Sequence, residues 1–163
     1  KYDDAILSLD RFIKFHPGNK DIAYAYYLKA LCYYEQITGV EKDQENTRLA
    51  LQALRQVITR FPNTEYAKDA SLKLELTYDH LAGKEMEVGR YYLNQENYLS
   101  ALNRFSVVVN DYQMTSHIEE ALYRQVEIYT ILGLNKEAGQ AFRVLEYNYP
   151  KSKWTVDARK VLK

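Results

Sequence analysis

The sequence is short of the residues that staple, break or anchor a chain. One cysteine, Cys32, stands among 163 residues, so no internal disulfide can form. Its setting, Ala30-Leu31-Cys32-Tyr33-Tyr34, is an apolar helical run that predicts a small buried hydrophobe. A reactive or ligating thiol would need an electropositive neighbour. Six glycines and three prolines leave little material for linkers. No uninterrupted apolar run approaches the ~20 residues of a membrane span. Charge of one sign is not in surplus, since 22 basic and 22 acidic residues cancel. They alternate along most of the predicted helices, which excludes the basic stripe that a nucleic-acid binder needs.

Chemical motifs are scarce as well. His16, His80 and His117 lack ligand spacing with each other or with Cys32, so no metal is expected. There is no glycine-rich phosphate loop, no other cofactor motif, and no assembled nucleophile, base and orienter. Asp79-His80 is an adjacent acid–base pair, but neighbours on a helix point about 100° apart. An enzyme reading would rest only on the ability of any concave surface to hold a substrate. The weight falls on a binding protein that is not an enzyme.

What the sequence does contain is a repeat. From Gly89 to Gln113 it reads as two helices around a polar turn at Gln95-Glu96-Asn97. Gly89, Tyr92, Ala101, Phe105 and Val108 follow the tetratricopeptide pattern: small residues let two antiparallel helices approach, and larger ones fill the seam. The alanine that opens each second helix recurs with a terminator twelve residues on: Ala5 to Pro17, Ala50 to Pro62, Ala101 to Gln113, Ala138 to Pro150. Four and seven residues past each alanine stand Leu9 and Phe12, Leu54 and Val57, Phe105 and Val108, Phe142 and Leu145, all on one helical face. Eight residues past each terminator comes Ala25, Ala70, Ala121 or Ala158, opening the next unit. The expected fold class is all-α: a right-handed α-solenoid of tetratricopeptide (TPR) helix pairs. Residues 1–163 form a single solenoid domain of about four repeats, the first incomplete, with a C-terminal capping helix.

Taken in order, about Asp3 to His16 reads as a second helix without its partner. Its face of Ile6, Leu9, Phe12 and Ile13 should be partly uncovered. About Lys20 to Thr38 forms a tyrosine-rich helix whose rings sit in a seam with hydroxyls at the rim. Gly39 to Asn46 is a polar excess over the basic repeat, a solvated spacer or a contact loop. Tyr78 and Tyr92 are fourteen residues apart, almost four helical turns, which predicts one long helix from about Glu65 to Asn94, capped by Asn63 or Thr64. Gly83 is its weak point, and a break there is the competing expectation. Ser116-His117-Ile118-Glu119 has capping-box spacing. Gly133 ends that helix, a partner runs from about Lys136 to Asn148, and Ser152 caps the last.

The order of these segments resembles a known family. It comprises Asp10-Arg11-Phe12-Ile13-Lys14-Phe15-His16-Pro17, a polar insertion, Arg60-Phe61-Pro62-Asn63-Thr64-Glu65-Tyr66-Ala67-Lys68-Asp69-Ala70, a long helix carrying Asp79-His80-Leu81-Ala82, then Arg90-Tyr91-Tyr92 and Asn103-Arg104. It is similar to the BamD family of tetratricopeptide lipoproteins, found in the machinery that inserts β-barrel proteins into the bacterial outer membrane. The resemblance implies a non-enzymatic scaffold at the periplasmic face of the outer membrane, held by a lipidated cysteine that an N-terminally truncated fragment would lack. It implies docking to the membrane-proximal POTRA domain of BamA, with other Bam lipoproteins and unfolded outer-membrane proteins as further partners. The family's docking arginine matches Arg104, with Asn103, Tyr91, Tyr92 and Tyr98 as neighbours of the same patch. Periplasmic TPR adaptors of the Tol and peptidoglycan-synthesis kind are the alternative. Their period is usually about 34 residues, whereas the alanine-to-alanine steps here are 45, 51 and 37.

Overall fold

The computed structural model describes residues 1–37 and 44–163, and every regular element among them is an α-helix. In order these are α1 (Tyr2–Phe15), α2 (Ile22–Ile37), α3 (Gln44–Arg60), α4 (Glu65–Asn94), α5 (Tyr98–Asp111), α6 (Ile118–Ile131), α7 (Asn135–Asn148) and α8 (Lys153–Val161). They group into two compact units, Lys1–Thr77 and Tyr78–Lys163, with α4 contributing residues to each. The repeat spacing is what the cores are built on. Ala25, Ala50, Ala70, Ala101, Ala121, Ala138 and Ala158 are all buried; the eighth register alanine, Ala5, is half-buried.

In the first unit α2 packs on both α1 and α3. Its core is Ala30, Ala53, Leu54, Val57 and Ala70, ringed by Tyr26, Tyr27, Tyr33, Tyr34 and Tyr66. The small residues bring the helices close and the tyrosines fill the flanks. Two of the hydroxyls are engaged rather than left at the rim. Tyr27 donates to Asp69 Oδ2 at 2.6 Å, and the Arg60 guanidinium donates to the Tyr26 oxygen at 3.1 Å while lying over its ring. Burial, reinforced by Asp69, pushes the Tyr27 hydroxyl up to about 12. Cys32 is half-buried and burial raises its thiol. On α1 only Ile6 is buried, while Leu9, Phe12 and Ile13 are half-exposed, as an incompletely covered face requires.

Part of the predicted polar insertion is helical. Residues 39–43 lie outside the described residues, but Gln44, Glu45 and Asn46 form the first turn of α3. Glu45 suits a helix N-terminus and pairs one turn on with Arg48 at 2.6 Å, two local terms that extend the helix backwards. Thr64 caps α4, its hydroxyl accepting from the Ala67 amide at 3.2 Å.

The long helix is continuous through Gly83. A methyl group there would meet His117 Nε2 at 3.2 Å, so the glycine makes room for the start of α6. The capping box expected at Ser116 does not form. His117 occupies the cap position without a side-chain bond. The Ser116 hydroxyl is drawn away to Asp79 Oδ1 at 2.6 Å, with its amide on the same oxygen at 2.9 Å. Donating to a charged acceptor turns the Ser116 side chain toward α4, so its oxygen is not presented to the first amides of α6. Ser152 does cap α8, accepting from the Trp154 amide at 3.2 Å.

Candidate protein-docking surface

The candidate surface lies in the second unit, on the hairpin of α4 and α5. Its foundation is a seam of Ala82, Met86, Ala101, Phe105 and Val108, all fully buried. Gly89 is what lets the helices close: a methyl group there would stand 2.6 Å from Phe105 Cε1, inside any allowed contact. The hairpin turn places Glu96 at φ 55°, and the Asn97 amide returns to the Tyr92 carbonyl at 2.9 Å. The turn between α6 and α7 repeats this geometry with Gly133 at φ 73° and the Leu134 amide on the Tyr129 carbonyl at 2.8 Å. Both are helix C-termini closed by one residue in the left-handed region.

With Ala101, Phe105 and Val108 inward, the residues between them face out. Asn103 and Arg104 are exposed. Arg104 Nη1 donates to Glu85 Oε2 at 3.1 Å, with 45% of the arginine side chain and 26% of the glutamate exposed. Tyr91 is 62% exposed, its ring edge-on to Tyr92. Tyr92 and Tyr98 are half-buried and pack against the seam. The structure therefore places Arg104, Asn103 and Tyr91 on the surface and gives Tyr92 and Tyr98 a supporting position beneath it.

Two residues absent from the sequence reading belong here. Leu99 is 67% exposed and stands one turn before Asn103 on α5, so it extends the outward stripe with an apolar side chain. A helical wheel drawn from Asn103 would have found it. Glu85 has no motif; only the antiparallel register of α4 and α5 brings it to Arg104. The Tyr112 hydroxyl is raised chiefly by burial and then by the charges of Glu85 and Asp111.

In the same unit a charged cluster ties α4, α6 and α8. Arg90 donates to Glu120 at 3.0 Å. Arg124 bonds Glu127 at 2.8 Å and approaches Glu120 at 3.4 Å, while lying over the rings of Tyr123 and Trp154. Burial opposes the Arg124 charge, but the two glutamates outweigh it and raise its pKa. Asp79 and His80, adjacent in sequence, are not brought together as an acid–base pair: Asp79 bonds Ser116 and His80 is exposed. Among the described residues no helix is long and apolar enough to cross a membrane.

Comparison with known proteins adds the family. A family model described as "Outer membrane lipoprotein" (YfiO) matches residues 1–144. A protein of Rickettsia prowazekii named outer membrane protein assembly factor BamD is 53% identical over 163 residues, all of this chain and 65% of its own length. The Caulobacter vibrioides protein of that name is 52% identical over 162 residues, 99% of this chain and 53% of its own. That of Neisseria meningitidis serogroup A is 34% identical over 166 residues, 96% of this chain and 62% of its own. The chain thus spans between about half and two thirds of the length of these relatives. Helix pairs at the expected offsets, a continuous α4 and a model match over most of the sequence agree: the chain belongs to the YfiO/BamD family of outer membrane lipoproteins.

Proposed function

We propose that this chain is a non-enzymatic adaptor of the β-barrel assembly machinery. In this reading it docks the membrane-proximal POTRA domain of BamA at the periplasmic face of the outer membrane and so supports folding and insertion of outer-membrane proteins. The observation that carries the reading is the Arg104 surface. A guanidinium fixed on a rigid helix hairpin, nearly half exposed and flanked by Asn103, Tyr91 and the apolar Leu99, has the composition of an interface anchor. Arginine and tyrosine are enriched where binding energy concentrates, and arginine can take a carboxylate side-on through two parallel bonds. The names of the relatives support an assembly role over the Tol-type alternative. Other Bam lipoproteins and unfolded outer-membrane proteins are further partners in this reading, and attachment to the membrane is through a lipid carried elsewhere on the protein.

Binding of the purified BamA POTRA domain to Arg104→Glu tests the reading. Reversing the charge opposite a partner carboxylate should weaken binding at least about thirtyfold, as for a buried charge pair broken on one side, with the far-UV helix signal intact. Affinity within twofold of the parent would remove Arg104 as the anchor.

A further inference from the structure

We propose that Glu85 is a positioning residue for the docking surface, holding Arg104 extended and oriented before the partner arrives. The inference rests on the docking reading above and assigns a role to a residue outside the recognised contact set.

Three observations carry it. First, Glu85 is itself restrained. It precedes the fully buried Met86 on α4 and is only 26% exposed. Second, the contact is a charge-assisted hydrogen bond of 3.1 Å between two helices, Nη1 to Oε2. It is not a pairing of neighbours one turn apart that any exposed helix would show. Third, the bond engages one nitrogen of a guanidinium with five N–H donors, and 45% of the side chain is still exposed. A partner carboxylate can therefore take the other edge without displacing Glu85. An unrestrained arginine has many rotamers, and ordering it at an interface opposes binding. Glu85 removes much of that opposition by ordering it in the free protein. It also adds a negative charge beside the site, which works against an acidic partner, so charge and positioning must be separated.

Glu85→Gln and Glu85→Ala separate them, each made alone and with Arg104→Ala, using the purified BamA POTRA domain as the probe. Glutamine removes the charge but keeps an oxygen that accepts from Nη1; alanine removes both. Glu85→Gln should bind within about twofold of the parent or tighter, and Glu85→Ala about threefold to tenfold more weakly than Glu85→Gln, the range set by ordering one long side chain. With Arg104→Ala present, the difference between the two should vanish, a coupling that a general structural role of Glu85 would not produce. Equal binding by Glu85→Ala and Glu85→Gln, or tighter binding by Glu85→Ala than by the parent, would overturn positioning while leaving docking intact. An unchanged affinity for Arg104→Ala alone would instead bring down the docking reading and this inference with it.

Discussion

Gly89→Ala is the sharpest test of the seam on which the docking surface stands. Replacing glycine by alanine inside a helix ordinarily stabilises it by about 1 kcal/mol. At Gly89 the new methyl group would lie 2.6, 2.9 and 3.0 Å from three ring carbons of Phe105. Comfortable carbon contacts need about 3.5–4.0 Å, so the ring or the helix must move by roughly 1 Å. Phe105 is fully buried among Ala101, Val108 and Met86 and has nowhere to retreat. Overpacking of this kind costs about 1–3 kcal/mol, and a rigid ring met face-on belongs at the upper end. Subtracting the helix gain leaves a net loss of about 2 kcal/mol.

The same helix provides the control. At Gly83 the added methyl group meets only the tip of the half-buried His117 ring, at 3.2 and 3.6 Å, and a ring tip can swing aside. Gly83→Ala should therefore be stabilising by about 0.5 kcal/mol. Gly139 in α7 has nothing within 4 Å of the new atom, so Gly139→Ala should show nearly the full gain. Urea unfolding followed by far-UV circular dichroism gives the order: Gly139→Ala at or above Gly83→Ala, then the parent, then Gly89→Ala. A Gly89→Ala variant as stable as the parent would refute the close approach of α4 and α5.

Two further outcomes follow from local geometry. Glu96 occupies at φ 55° the position that Gly133 holds at φ 73° in the equivalent turn, so Glu96→Gly should raise stability by about 0.5–1 kcal/mol in thermal unfolding, and a loss would mean that the Glu96 side chain makes a contact worth more than its strain. Asp79 is held below the usual carboxylate range first by the Ser116 hydroxyl, an effect that burial opposes and that the Ser116 amide and the nearby His117 reinforce. A depressed carboxyl contributes fully above its unfolded pKa near 4 and loses that contribution as pH falls through its folded value. Asp79→Ala should thus be weaker than the parent by about 1 kcal/mol at pH 7, and urea midpoints should begin to converge as pH falls past about 4 and meet only below the lowered folded pKa.

The seams were legible because each repeat fixes them with residue types that have one structural use. An alanine followed by larger apolar residues four and seven positions on, with a terminator at twelve, suits a paired helix, and Ala50, Leu54 and Val57 or Ala101, Phe105 and Val108 form fully buried rows. The length of α4 was legible for a related reason, since Tyr78 and Tyr92 share a face only if no break intervenes. Failures occurred where a distant partner redirected a local preference. Ser116 has capping-box spacing, but Asp79, on another helix 37 residues earlier, captures its hydroxyl. The tyrosine hydroxyls of α2 found Asp69 and Arg60, partners that helical periodicity does not name. The start of α3 at Gln44 was masked by composition: a polar run looks like a loop until the pairing of Glu45 with Arg48 is counted as helical.

The docking surface was harder to read because exposure carries no periodic signature of its own. Asn103 and Arg104 are outward by subtraction, once Ala101, Phe105 and Val108 have been assigned inward. The same subtraction yields Leu99, which no motif had marked. Seam and surface are therefore one construction. Arg104 is bonded to α4 through Glu85 while its neighbour Phe105 is locked against Gly89 of the same helix. A shift of α5 along α4 by about 1 Å would strain both contacts together and swing the guanidinium away from its set position, a displacement large enough to matter for a paired-bond anchor. If the outer face docks a partner as proposed, Gly89 serves recognition as well as stability, because the close approach it permits to Phe105 is what gives that face a fixed shape.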